Sequence, residues 1–197
     1  MKPYEKLNRE LREAGISDQK FLDKKITPVA TLVNTKKSSK PYVDILLKYL
    51  PELKGNEKEM VVRALSEKGN KKAVPYLIDI MKDPNGMREL NLWAVGNALR
   101  VINDKSSYNV IIDLCKNKTL GISRQMMLVL LSRSKTEEAF QTLIECLKEP
   151  KLKGHAIEAL GKFGDKRAID IIRNTDVEKG KYEFKAKQTA LKRLQKK

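Results

Sequence analysis

Residues 158–170 read EALGKFGDKRAID, with two glycines three positions apart and a lysine between them. A phosphate-binding loop would need Gly-x-x-x-x-Gly-Lys-Ser/Thr after a strand, so that backbone N–H groups and the lysine surround the anion. Gly161 and Gly164 have neither that spacing nor a following Ser or Thr. The stretch reads instead as a helix that ends at Gly164, a tight turn, and a second helix capped by Asp165.

The same grammar recurs upstream. Leu65, Leu99, Leu131 and Leu160 are separated by 34, 32 and 29 residues, the range of helical-pair repeats. One position earlier stand Ala64, Ala98, Leu130 and Ala159. Eight positions after the leucine come the small residues Ala73, Ser107, Ala139 and Ala168, and twelve after it the aliphatic Leu77, Ile111, Leu143 and Ile172. Five after it are Asn70, Asp104, Thr136 and Asp165, short polar residues that accept a free N–H at a helix start. Gly69 precedes the first of them as Gly164 precedes the last. First helices are thus expected at about 56–67, 87–101, 122–133 and 153–162. The second helices are KKAVPYLIDIMK, KSSYNVIIDLCK, EEAFQTLIECLK and KRAIDIIRN, whose apolar residues recur with the period of a buried helical face.

EALGKFGDKRAIDII and RALSEKGNKKAVPYL resemble HEAT-type repeats of the short bacterial variety, with the pattern A-L-G-x-x-G-D-x-x-A-x-x-x-L. The resemblance spans residues 56–175 and implies an all-α fold, a right-handed α-solenoid of about five helical pairs. Residues 1–55 do not fit the columns and are expected as an atypical N-terminal helical cap. There ITPVATLVN is an apolar stretch interrupted by Pro28, and PYVDILLKYLPEL a further helix. Residues 176–197 are expected as a basic, amphipathic C-terminal capping helix packed through Tyr182, Phe184 and Leu191, the whole forming one continuous unit.

Composition bounds the function. The chain has 197 residues, 41 Lys+Arg and 25 Asp+Glu, for a net charge of +16. Residues 1–40 and 176–197 carry +5 each and the middle +6, so the ends hold most of the excess. The charged N-terminus has no secretory signal pattern and no apolar run reaches membrane-spanning length, pointing to a cytoplasmic protein. Cys115 and Cys146 lack metal-ligand or disulfide spacing and read as core residues. The single His155 has no adjacent nucleophile or orienting carboxylate in the sequence. Catalytic, cofactor and metal sites are therefore expected to be absent.

Three constellations are candidates for recognition. Asp79, Asp113 and Glu145 share one column of three successive second helices, off the apolar face, and suit basic groups on a partner. Trp93, Asn97 and Arg100 share one helical face with the aromatic, amide and guanidinium chemistry of binding hot spots. Lys71 and Lys72, with Lys166 and Arg167, sit at starts of second helices where phosphate could be contacted. The leading expectation is a non-catalytic scaffold that binds a protein partner. The alternative is a nucleic-acid-binding HEAT-like protein using a basic edge, distantly similar to the HEAT-like DNA glycosylases. A third HEAT-like activity, attachment of bilin pigments, has no supporting cysteine or histidine context.

Overall fold

The computed structural model describes residues 1–196. Among them are twelve α-helices, short 3-10 turns and one β-hairpin, so the fold is all-α as the repeat columns predict. The chain divides into two compact units, Met1–Asp104 and Lys105–Lys197.

The first unit holds α1 (Pro3–Glu13), the hairpin β1 (Gln19–Phe21) and β2 (Lys24–Ile26), α2 (Pro28–Asn34), α3 (Val43–Tyr49), α4 (Gly55–Leu65), α5 (Val74–Lys82) and α6 (Glu89–Ile102). Helix α1 packs on α2 and α3, α2 on α4, and α6 on both α4 and α5. Leu7, Leu11, Leu46, Val61, Leu65, Leu77 and Val95 are fully buried in this unit. Burying each such side chain contributes roughly 1.5–3 kcal/mol, which drives the pairing of amphipathic faces.

The second unit holds α7 (Tyr108–Lys116), α8 (Gln125–Leu131), α9 (Glu137–Cys146), α10 (Lys153–Phe163), α11 (Ala168–Asn174) and α12 (Tyr182–Gln195). Helix α10 is its centre and packs against α8, α9, α11 and α12. The expected first helices correspond to α4, α6, α8 and α10, and the expected second helices to α5, α7, α9 and α11. Helices α5 and α7 each begin with a 3-10 turn, Lys71–Ala73 and Lys105–Ser107.

The turn inside each pair repeats more strictly than its residue types do. Four positions after the column leucine, Gly69, Asn103, Lys135 and Gly164 have φ of 79°, 56°, 60° and 84°. A left-handed residue there lets the chain reverse after the first helix and satisfies carbonyls at its end. Glycine adopts this conformation freely and asparagine tolerates it, whereas lysine is strained by roughly 1–2 kcal/mol. Lys135 is retained by what its side chain reaches. Its ammonium donates to the carbonyl of Lys162 at 3.1 Å and to that of Phe163, and lies 4.8 Å from the Phe163 ring centre. It thereby covers open carbonyls at the C-terminus of α10, where the helix dipole favours a cation. Lys135→Ala keeps the strain and loses these contacts, so it should be less stable than Lys135→Gly by about 1 kcal/mol. Urea unfolding of the two variants measures the difference, and equal midpoints would show an unstrained turn.

The capping column divides. Thr136 Oγ1 accepts from the Ala139 N–H at 3.3 Å, and Asp165 Oδ1 from the Arg167 N–H at 2.9 Å, as the sequence predicts. Asn70 instead donates its amide to the Leu65 carbonyl at 2.9 Å, closing the end of α4. Unlike Thr or Asp, an Asn side chain carries two N–H donors, and a buried one takes the open carbonyl beside it.

Residues 1–55 contain two features the sequence reading lacks. Pro28 does not interrupt an apolar stretch but opens α2, with Thr27 Oγ1 accepting from the Ala30 N–H at 3.4 Å. Proline suits this first position because its missing N–H has no intrahelical partner to lose. The hairpin turns through Leu22 and Asp23, both at positive φ, without the Asn-Gly or Asp-Gly pair that signals such turns. The tail forms α12 as expected, but its buried residues are Ala186, Ala190 and Leu194. Tyr182 is 48% exposed although its ring lies over Gly154 of α10, Phe184 and Leu191 are half-buried, and α12 meets the α10 backbone most directly through the small Ala190 at Gly161.

Candidate recognition surfaces

The second helices bury one face and present the other, and the acidic column lies on the presented side. Asp79 on α5, Asp113 on α7 and Glu145 on α9 are all exposed. Among the described residues none of the three forms a salt bridge, although the chain carries sixteen more cations than anions. In the second unit Asp113 and Glu145 come within electrostatic reach of one ammonium. Lys116 bonds Glu138 at 2.6 Å, which raises its pKa first, and the charges of Asp113 and Glu145 raise it further.

Three positions before each acid, on the same helical face, stand Tyr76, Val110 and Thr142, with Ile171 at the matching position of α11. Tyr76 is 42% exposed and Ile171 37%, Val110 is half-buried and Thr142 buried. The outer face of α5 thus combines Tyr76 and Asp79, and that of α7 combines Val110 and Asp113. An exposed carboxylate beside apolar area suits a segment that offers cations and apolar side chains together.

Beside Glu145 the second unit has a cavity of about 380 Å³, also lined by Lys116, Lys118, Cys146 and Glu149. Arg124 also lines it and is only 2% exposed. Its guanidinium takes the Glu149 carboxylate side by side, Nη1 to Oε1 at 3.0 Å and Nη2 to Oε2. Nη1 also donates to the Cys115 carbonyl and Nε to the Gly121 carbonyl, each at 3.1 Å. The sequence reading places nothing special at Arg124. The available signal is a single charge inside the apolar run GISRQMMLVLL, where an inward cation requires an inward partner. Cys115 and Cys146 are buried as expected. Burial pushes the Cys146 thiol up to about 11 and that of Cys115 well above its usual range, so both stay protonated and unreactive at neutral pH.

Trp93, Asn97 and Arg100 share the half-buried face of α6, opposite the buried Leu92, Val95 and Leu99. Arg100 forks onto the Asn97 side-chain oxygen, Nε at 3.2 Å and Nη2 at 2.9 Å, on the helical face that also carries Trp93.

The candidate phosphate contacts are engaged differently. Lys71 lies 3.4 Å from Asp104 and Lys72 3.0 Å from Asp44. Arg167 bonds both Asp165 and Glu137, each at 2.7 Å, and its guanidinium carbon lies 4.5 Å from the Phe140 ring centre. Lys166 is exposed. The Arg167 bonds hold the Asp165 and Glu137 carboxyls below their ordinary pKa values. His155, at the start of α10, is half-buried with its ring centre 5.0 Å from that of Tyr182, and burial lowers its pKa.

Residues 152–175, which span α10 and α11, match the family model described as PBS lyase HEAT-like repeat. The match supports a HEAT-like repeat protein, and the stretch it covers contains EALGKFGDKRAID. A search of curated proteins gives no match. Among the described residues no helix is long and apolar enough to cross a membrane.

Proposed function

We propose that this HEAT-like repeat protein is a non-catalytic scaffold that recognises a protein segment bearing basic and apolar side chains. Each unit offers its own contact, Asp79 with Tyr76 on the first and Asp113 with Glu145 on the second. Residues 1–55 and 176–197 serve as the atypical ends of the 56–175 repeat array. The supporting observation is the acidic column itself. In a chain of net charge +16, these three exposed carboxylates have no ion-pair partner among the described residues. Trp93, on the same helical face as the bonded pair Asn97 and Arg100, offers an aromatic anchor of the kind enriched at interface centres. The nucleic-acid alternative draws less support, because the charges of Lys71, Lys72 and Arg167 are each offset by a neighbouring carboxylate.

A 15-residue peptide alternating arginine and leucine serves as the probe, with binding followed by fluorescence anisotropy. The triple variant Asp79→Asn, Asp113→Asn, Glu145→Gln should weaken binding at least tenfold, equivalent to about 1.4 kcal/mol. Its stability should stay within about 0.5 kcal/mol of the parent, as for exposed substitutions generally. Undiminished binding by the triple variant would remove the acidic column from the reading. A DNA duplex titrated across a salt series tests the alternative: steep loss of affinity with salt is the mark of phosphate neutralisation.

A further inference from the structure

A separate surface of the first unit is built for an anion. The loop between α2 and α3 reads TKKSSK over residues 35–40, and its donors converge on one carboxylate, that of Glu67. Ser38 Oγ donates to Oε1 at 2.8 Å and lies 3.0 Å from Oε2. The Ser39 N–H donates to Oε2 at 2.8 Å and the Ser39 hydroxyl to the same oxygen at 3.1 Å. Lys40 Nζ lies 3.7 Å from Oε1. Ser39 is 1% exposed, so its hydroxyl and N–H are fixed in place, whereas the Glu67 side chain keeps 30% of its surface in solvent.

The charge around this clasp exceeds what Glu67 supplies. A cavity of about 360 Å³ opens beside it, lined by Lys36, Lys37 and Arg63 as well as by Ser38, Ser39 and Glu67. Arg63 is shared with Glu59, Lys37 reaches the Gly15 carbonyl at 3.4 Å, and Lys36 forms no ion pair among the described residues. Serine hydroxyls, a backbone N–H and lysines are the donors that proteins turn toward phosphate oxygens. A phosphate dianion has a third terminal oxygen and a second charge for the lysines that one carboxylate leaves unmatched.

We infer that the 35–40 loop is a binding site for a phosphate group, closed in the free protein by the Glu67 carboxylate. Phosphate enters as Glu67 swings out to solvent, and the serine donors and lysines transfer from one anion to the other. This surface is distinct from the acidic column and does not depend on the partner-binding reading.

The full chain is titrated with inorganic phosphate and, in parallel, with O-phosphoserine, at ionic strength held constant with sodium chloride. Calorimetry gives the affinity and thermal unfolding the accompanying stabilisation. Both probes should bind and raise the melting temperature. Glu67→Gln and Glu67→Ala should tighten binding about tenfold, because apparent affinity falls by the fraction of molecules in which the internal anion fills the loop. Lys36→Gln with Lys37→Gln should weaken it at least tenfold while leaving the melting temperature without ligand unchanged. Binding of O-phosphoserine alone assigns the site to a phosphorylated side chain, and binding of both assigns it to the phosphate group itself. Phosphate acting no differently from chloride, or Glu67 variants binding no tighter than the parent, would overturn the inference and leave a clasp that only fastens the loop to α4.

Discussion

Replacing Glu149 with alanine is expected to destabilise the second unit by about 3–5 kcal/mol, although Glu149 is itself only half-buried. The loss comes from the group left behind. Arg124 is 2% exposed, and without Glu149 its charge remains in the interior with only the carbonyls of Cys115 and Gly121 as partners. Arg124→Met removes that charge and fills part of its volume. What it strands is smaller: two carbonyls, at roughly 1–3 kcal/mol each where water cannot reach them, and a carboxylate that solvent can reach. The double variant Arg124→Met, Glu149→Ala should therefore be more stable than Glu149→Ala alone, a non-additivity that identifies a buried pair. Urea unfolding, with hydrogen exchange at the amides of α7 to α10, measures all three. A Glu149→Ala cost below about 1 kcal/mol would mean that Arg124 finds water or another acceptor, as surface pairs do.

How much of this was legible depends on the distance over which each signal acts. The helical pairs were readable because each column leucine and its companions lie within about a dozen residues of one another and the whole pattern recurs every 29 to 34 residues. Gly69 and Gly164 announced the left-handed turn, whereas Asn103 tolerates the same conformation and Lys135 occupies it through a compensation. For Lys135 that compensation lies 27 residues away, at the Lys162 carbonyl. The cap at Asn70 failed for a local chemical reason, since an amide donates as readily as it accepts. The pairing of Arg124 with Glu149 and the clasp of Ser38 and Ser39 on Glu67 join residues 25 to 29 positions apart. Spacing within one helix carries no trace of such partners. Of the candidate surfaces, the acidic column was visible because it shares the repeat period, while the carboxylate partners of Lys71, Lys72 and Arg167 were not.

The first glycine of EALGKFGDKRAID carries the other large effect. Gly161 lies within α10, one turn before its end, so the stretch uses only Gly164 as a turn residue. A Cβ placed on Gly161 would meet the Ala190 Cβ at 2.6 Å and its Cα at 2.7 Å, so α12 rests directly on the α10 backbone there. In an open helix Gly→Ala stabilises by roughly 0.5–1 kcal/mol. Here the new methyl meets main chain that cannot rotate away, and overpacking costs typically 1–3 kcal/mol. Gly161→Ala should accordingly be destabilising by about 1–2 kcal/mol. Gly161→Val, which adds two more carbons and a branched Cβ, should exceed about 3 kcal/mol and lift α12 from its seat. A released α12, 14 residues long with Ala186, Ala190 and Leu194 no longer covered, is marginal as an isolated helix. Its lysines and Arg193 then become rapid trypsin sites, which makes limited proteolysis a direct readout. Gly154 provides the control. A Cβ there would approach the Tyr182 ring at 2.6 Å, but that ring is 48% exposed and can swing outward, so Gly154→Ala should cost less than Gly161→Ala. If Gly161→Ala proved as stable as the parent, or its α12 as resistant to trypsin as that of Gly154→Ala, close backbone approach would not be what holds the C-terminal helix.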